Sequence, residues 1–226
     1  MAGQIGPVKK SVVLLGKGEL GIRVGAWFLD SDVYELRCVV PSMPEPRWTV
    51  SLAEWARFQD IPVVEGGRTE GIAGVLGDDW RTDLAFSVYY NRIVKPWFID
   101  KCGLVLNLHN APLPRYRGVA PVNWALKNGE TDHGVTIHVI TPGIDDGPIV
   151  AQVRFSIYPD IDEVVDVYRR CLEFGWLLFE KTMPRVDDII PRPQDESLAQ
   201  YYTRKDARQL GGRRGWTRGE SNVRES

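Results

Sequence analysis

Short apolar runs alternate with helical patterns through the first half of this 226-residue chain, and that alternation limits its fold more than any other feature. SVVLLG (11–16), YELRCVV (34–40), IPVVE (61–65), DLAFSVYY (83–90) and GLVLNLH (103–109) each read as a strand. Between them, ELGIRVGAWFLD (19–30) and SLAEWARFQ (51–59) carry apolar residues at helical spacing, while the helix after the third run is weakly marked. Strands joined through helices form a mainly parallel sheet with right-handed crossovers. The expected class is therefore α/β, a Rossmann-like sheet with flanking helices, whose ligands bind beyond the carboxyl ends of the strands.

The pattern changes after residue 110. NAPLPRYRG is a shaped loop, and PVNWALKNG (121–129) opens on proline and closes on glycine as a helix does. GVTIHVI (134–140) and GPIVAQVRFSI (147–157) are strands whose short separation, TPGIDD, predicts an antiparallel pair at the sheet's edge. Residues 160–183 form the longest helical pattern, with Asp160 and Glu163 at capping-box spacing. Beyond Pro191 the chain turns polar and basic, and residues 211–226 read as poorly ordered.

A charged fraction of 26% and a net charge of −2 do not fit a general nucleic-acid binder. Three widely spaced cysteines, Cys38, Cys102 and Cys171, form no disulfide framework, which points to the cytoplasm. There is neither a signal-peptide pattern nor an apolar run long enough to span a membrane.

Gly16, Gly18 and Gly21 follow the first strand as G-x-G-x-x-G, which alone suggests a nicotinamide oxidoreductase. Such a site also needs an acid at the end of the second strand to hold the ribose. Here that region reads CVVPSMPEP, and its first acid, Glu45, falls beyond two prolines. NAD(P) binding is disfavoured; the glycines serve a tight turn, or a phosphate contact in which Lys17 takes part.

The chemistry concentrates between Leu106 and Gln152. Asn107 and His109, two apart at a strand end, share one face; Asp145 comes from the GIDDG loop. An amide donor, an imidazole and a carboxylate suit acyl transfer to an external nucleophile. No G-x-S-x-G and no cysteine near His109 supplies a protein nucleophile. Taken singly, Asn107 and His109 could serve the backbone, and Asp145 could be an ordinary turn residue. His133, His138 and His109 do not have zinc spacing, so no metal is expected, and His138 reads as structural.

NLHNAPLP, RYRGVAPVNWAL, GE, GVTIHVI and IDDGPIVAQ occur in the order and spacing of the folate-dependent formyltransferases, which this chain resembles over about residues 83–157. The resemblance implies an N-formyltransferase using N10-formyltetrahydrofolate as co-substrate, with Asn107, His109 and Asp145 as its catalytic triad. It also implies a folate pocket at Arg92, Ile93 and Val94, closed by Thr141 and Gly143. HNAPLPRYRG, where glycinamide ribonucleotide formyltransferases usually read HPSLLP, is similar to enzymes that formylate amino sugars on nucleotide carriers. This resemblance implies a sugar-nucleotide acceptor, for instance dTDP-4-amino-4,6-dideoxyglucose, in cell-surface glycan synthesis, and a homodimer without nucleic-acid or membrane partners. Glycinamide ribonucleotide is the alternative acceptor. The expected division is a catalytic domain over 1–190 and a short extension over 191–226 that contacts the sugar nucleotide. In that extension Tyr201, Tyr202 and Arg204 could meet a base and a pyrophosphate, or belong to a solvated basic tail. Arg115 and Arg117 near the triad are equally open.

Overall fold

Six strands form one sheet in the order β2-β1-β3-β4-β6-β7 in the computed structural model, which describes residues 8–210. They are β1 (Lys10–Gly16), β2 (Tyr34–Pro41), β3 (Thr82–Val88), β4 (Cys102–His109), β6 (Asp132–Val139) and β7 (Ile149–Ser156). The first four are parallel neighbours; β6 runs antiparallel to both β4 and β7. The class and the antiparallel edge are those expected from the sequence. Residues 211–226, where the poorly ordered tail was expected, lie outside the described residues.

The central strands read as continuous apolar runs because helices cover both faces. Val12 to Leu15 are fully buried, alternating between two cores. One core lies under α1 (Gly18–Leu29), α2 (Leu52–Phe58), α5 (Pro121–Lys127) and α6 (Val164–Thr182), and the other under α3 (Ala73–Leu76) and α4 (Pro96–Ile99). Phe179 of α6 anchors the first, with edge-on contacts to Trp27, Phe28 and Phe86 at centroid separations of 5.0–5.6 Å.

Two local expectations give way. IPVVE forms no full strand: Val63 makes one isolated parallel bridge to Val39 before the chain turns at Gly67. The capping box of α6 is one turn later than expected, between Glu163 and Asp166. Asp162 instead accepts from the Tyr158 N–H and from Arg170, so the chain turns before the helix starts.

The glycines of the β1–α1 turn meet steric demands. A Cβ at Gly16 would lie 2.4 Å from the Val88 carbonyl oxygen, and Gly18 has φ +69°, next to Thr49. Glu45 accepts from Ser51 Oγ and from the Leu52 N–H (2.8 Å), so it caps α2 and is not free for a ribose.

A two-residue strand, β5 (Arg117–Gly118), pairs with β8 (Tyr201–Tyr202), tying the C-terminal segment to the loop after β4. Among the described residues no helix is long and apolar enough to cross a membrane.

Candidate active site

At the carboxyl ends of the strands lies a cavity of about 990 Å³ that reaches both faces of the sheet. On the α5–α6 face it is lined by Trp48, Val122, Asn123, Val164, Val165 and Tyr168; on the other by Tyr90, Arg92, Ile93, Val94, Ile140, Thr141, Gly143 and Ile144. Asn107, His109 and Asp145 sit between the two arms. A volume near the upper end for one ligand, split across a sheet edge, suits two substrates meeting over the central strands.

Strand register accounts for the first two side chains. Asn107 and His109 point to one face of β4, and the antiparallel neighbour β6 places His138 directly opposite Asn107. His138 Nδ1 lies 2.9 Å from the Val139 carbonyl, which can only accept, so that nitrogen carries the hydrogen. Its Nε2 is then an acceptor, 3.1 Å from the Asn107 Nδ2 donor. The amide's second hydrogen faces Asp145 Oδ1 at 3.5 Å, the outer limit of a hydrogen bond, so a better acceptor in the cavity can claim it.

His109 is fixed in the same way. Its Nε2 donates to the Tyr116 carbonyl (2.9 Å), which leaves Nδ1 as the free ring nitrogen, 3.7 Å from Asp145 Oδ2. Asp145 is buried, which alone would raise its pKa. The His109 ring beside Oδ2 and the Gly118 N–H (2.9 Å) outweigh that and hold it well below the usual carboxylate range. The site thus offers a directed amide hydrogen, an imidazole with one free ring nitrogen and a fixed anion.

The surrounding motifs keep the loops in place. Glu130 joins Arg115 to the Tyr116 hydroxyl (2.5 Å to the latter), which explains RYRG followed by GE. Gln152 donates to the Leu113 carbonyl (2.9 Å) and to Thr136 Oγ1 (2.8 Å), pinning APLP against the sheet.

The expected binding residues divide. Arg92, Ile93, Val94, Thr141, Gly143, Lys17, Tyr201 and Arg204 all line the cavity. Arg92 donates through Nη2 to the Met43 carbonyl (3.2 Å), while its Nε, Asn91 Oδ1 and Trp48 Nε1 are buried without a partner. Arg204 donates to the Asn91 carbonyl (3.3 Å). Burial lowers the Lys17 pKa, and no carboxylate lies within ion-pair distance among the described residues. Tyr202 departs from the expectation: it is absent from the lining, and its ring lies between Tyr116 (5.7 Å) and Trp124 (4.3 Å). Nor are Arg115 and Arg117 free cations, since each is paired to a glutamate.

His138 read as structural in the sequence, yet it contacts both Asn107 and Asp145. Its alternation with Ile137 and Val139 gave no hint of this; only the β4–β6 register does. His133 is buried and donates through Nε2 to the Asn110 carbonyl (2.8 Å). No group of three or more His, Cys, Asp or Glu side chains among the described residues could hold a metal ion.

Burial pushes the His133 pKa down to about 4, against the opposing pull of the Asn110 carbonyl. Unfolded, the ring titrates at its ordinary value of about 6.5, so the unfolded chain takes up the proton first as pH falls. Stability is accordingly lost from about pH 6.5 down to about pH 4, on the order of 3 kcal/mol from this group. In His133→Gln the melting temperature should fall less steeply over that window. Equal slopes by calorimetry would assign the acid loss elsewhere.

Residues 73–183 match the formyl transferase family. That stretch is a formyl transferase domain. Two solved formyltransferases are similar to it over nearly its whole length. One is the N-formyltransferase of Helicobacter canadensis in complex with folinic acid and dTDP-3-aminofucose, at 25% identity, 96% of this chain, 79% of the other and a TM-score of 0.74. The second is WlaRD, a sugar 3N-formyl transferase in the presence of dTDP and 5-N-formyl-THF, at 25% identity, 96% and 77% coverage and a TM-score of 0.73. The phosphoribosylglycinamide formyltransferase of Bacillus halodurans shares the fold with a TM-score of 0.64 at 21% identity, covering 78% of this chain and 95% of that one. This formyltransferase is thus matched further along its length by the sugar enzymes.

Proposed function

We propose that this formyltransferase moves the formyl group of N10-formyltetrahydrofolate to the amine of a nucleotide-linked amino sugar, with Asn107, His109 and Asp145 as its catalytic residues. The observation that carries the reading is the single cavity with two arms meeting at Asn107 and His109. The arm at Arg92–Val94 and Thr141–Gly143 receives the folate. The arm at Lys17, Trp48 and Tyr168 receives the acceptor, with Tyr201 and Arg204 at its rim. The similar enzymes hold dTDP or a dTDP-amino sugar, which supports a dTDP-linked acceptor; dTDP-4-amino-4,6-dideoxyglucose and its 3-amino counterpart are the first compounds to test.

The unprotonated amine attacks the formyl carbon. Negative charge develops on the formyl oxygen, where the Asn107 amide hydrogen and the charge of protonated His109 meet it; one such donor contributes about 3 kcal/mol. His138 orients that amide. Asp145 holds His109 and accepts the amine's proton, the bond to the folate nitrogen breaks, and the proton passes to that nitrogen. Holding two large substrates in line supplies much of the remaining acceleration.

The test is incubation with N10-formyltetrahydrofolate and a panel of 3- and 4-amino-sugar nucleotides, with glycinamide ribonucleotide as the competing acceptor. A mass gain of one formyl group on a sugar nucleotide supports the reading; formylation of glycinamide ribonucleotide alone overturns it. Lys17, half-buried and without a carboxylate partner among the described residues, is matched to the acceptor's phosphates. Lys17→Met should raise the acceptor KM roughly 10- to 100-fold, the size of one charged hydrogen bond, and leave the donor KM unchanged. An unchanged acceptor KM would make the loop architecture only.

A further inference from the structure

We infer that the C-terminal segment from Arg192 to Tyr202 is a brace that sets the geometry of Asp145, and that Gln194 is its positioning residue. This rests on the catalytic role proposed above for Asp145.

Asp145 has φ +51°, a left-handed conformation that a non-glycine residue keeps only when its surroundings impose it. Gln194 imposes it. Its Nε2 donates one hydrogen to the Asp145 carbonyl (2.8 Å) and one to the Gly147 carbonyl (2.7 Å), bracketing the turn. Its Oε1 accepts from Arg117 Nε (3.1 Å) and Nη2 (2.8 Å), so both donors and both lone pairs of the amide are used. Arg117, with a side chain only 8% exposed, is held in turn by Glu196 (3.0 and 2.7 Å).

The same short strand carries the other half of the geometry. The Gly118 N–H next to Arg117 donates to Asp145 Oδ2 (2.9 Å), and the Tyr116 carbonyl on its other side fixes His109 (2.9 Å). Residues 116–118 thus locate both members of the His109–Asp145 pair. The segment after Arg192 locates residues 116–118: Arg117 N–H donates to the Gln200 carbonyl (2.8 Å), Val119 N–H donates to the Tyr202 carbonyl (2.9 Å), and the Tyr202 ring is stacked between Tyr116 and Trp124. The start of the segment is pinned by paired backbone hydrogen bonds between Arg192 and Ile149 (2.7 and 2.8 Å). Chain that is remote in sequence is therefore built into the catalytic geometry without lying against the reacting atoms.

Gln194→Met keeps the side chain's length and removes all four hydrogen bonds. A displaced carboxylate should lower kcat about 10- to 100-fold, with the acceptor KM within about threefold of wild type. The deciding measurement is the double-mutant cycle with Asp145→Asn. If Gln194 acts through Asp145, adding Gln194→Met to Asp145→Asn lowers kcat by less than about threefold. If the two losses multiply, or Gln194→Met alone leaves kcat unchanged, the brace is refuted. Should Gln194→Met fail to fold, Gln194→Glu serves in its place: it keeps the Arg117 pair and sets a carboxylate oxygen against the Asp145 and Gly147 carbonyls where two donors stood, which pushes the Asp145 turn away. An Asp145→Asn variant with wild-type kcat would overturn the catalytic reading of Asp145 itself, a result distinct from failure of the brace.

Discussion

Replacing His109 with asparagine should lower kcat about 10³- to 10⁴-fold while leaving both KM values within a few-fold of wild type. The Tyr116 carbonyl occupies Nε2, so the ring's chemistry resides at Nδ1, which faces the Asp145 carboxylate across 3.7 Å. A protonated ring there supplies positive charge beside the formyl oxygen as that oxygen becomes an anion, an effect typically worth 10²–10³ for one donor. Proton movement through the same nitrogen contributes roughly 10²–10⁴. The two roles belong to one side chain and do not multiply in full, hence the expected range. His109 is nearly buried and shows the cavity only a small part of its ring, so ground-state binding should change little. Steady-state rates followed by mass detection of the formylated acceptor, on protein whose melting curve shows it folded, would check this. A kcat within threefold of wild type would remove His109 from the chemistry.

What the sequence made legible was whatever is local. Strand runs, the Pro121 helix start and the hairpin interval all rest on neighbouring residues, and they predict the sheet and its antiparallel edge. The strand period put Asn107 and His109 on one face, but it was the resemblance to the folate-dependent formyltransferases that singled them out together with Asp145. The errors come where a distant partner decides. IPVVE has strand composition but a single bridge to β2, because the chain turns at Gly67 before a ladder can form. Tyr202 offered a ring for stacking on a base, but that ring is already stacked between Tyr116 and Trp124. His138 and Gln194 carry no local signal: one needs the β4–β6 register and the other a contact 49 residues away in sequence.

Asp145→Asn should lower kcat by about 10³- to 10⁴-fold, near the loss recorded when the orienting carboxylate of a catalytic triad becomes an amide. The carboxylate is ionised throughout the neutral range, since burial is outweighed by the His109 ring and the Gly118 N–H. An amide is neutral and has one acceptor oxygen where the site needs two. If that oxygen keeps the Gly118 N–H, the new NH₂ faces Asn107 Nδ2 and competes with it for His138 Nε2, so the Asn107 amide loses its aim as well. If the amide is turned round, two N–H donors oppose each other at Gly118. Either way His109 loses its counter-charge. Asparagine tolerates the left-handed backbone at this position, so the TPGIDDG loop and folate binding should persist. Asp145→Ala adds a backbone penalty of about 1–2 kcal/mol and should raise the donor KM in addition to lowering kcat. The contrast between the two variants separates the carboxylate's charge from its turn. If Asp145→Asn retained kcat while Asp145→Ala lost folate binding, Asp145 would be a turn residue before Gly147, and the proton would have to leave the amine by another route.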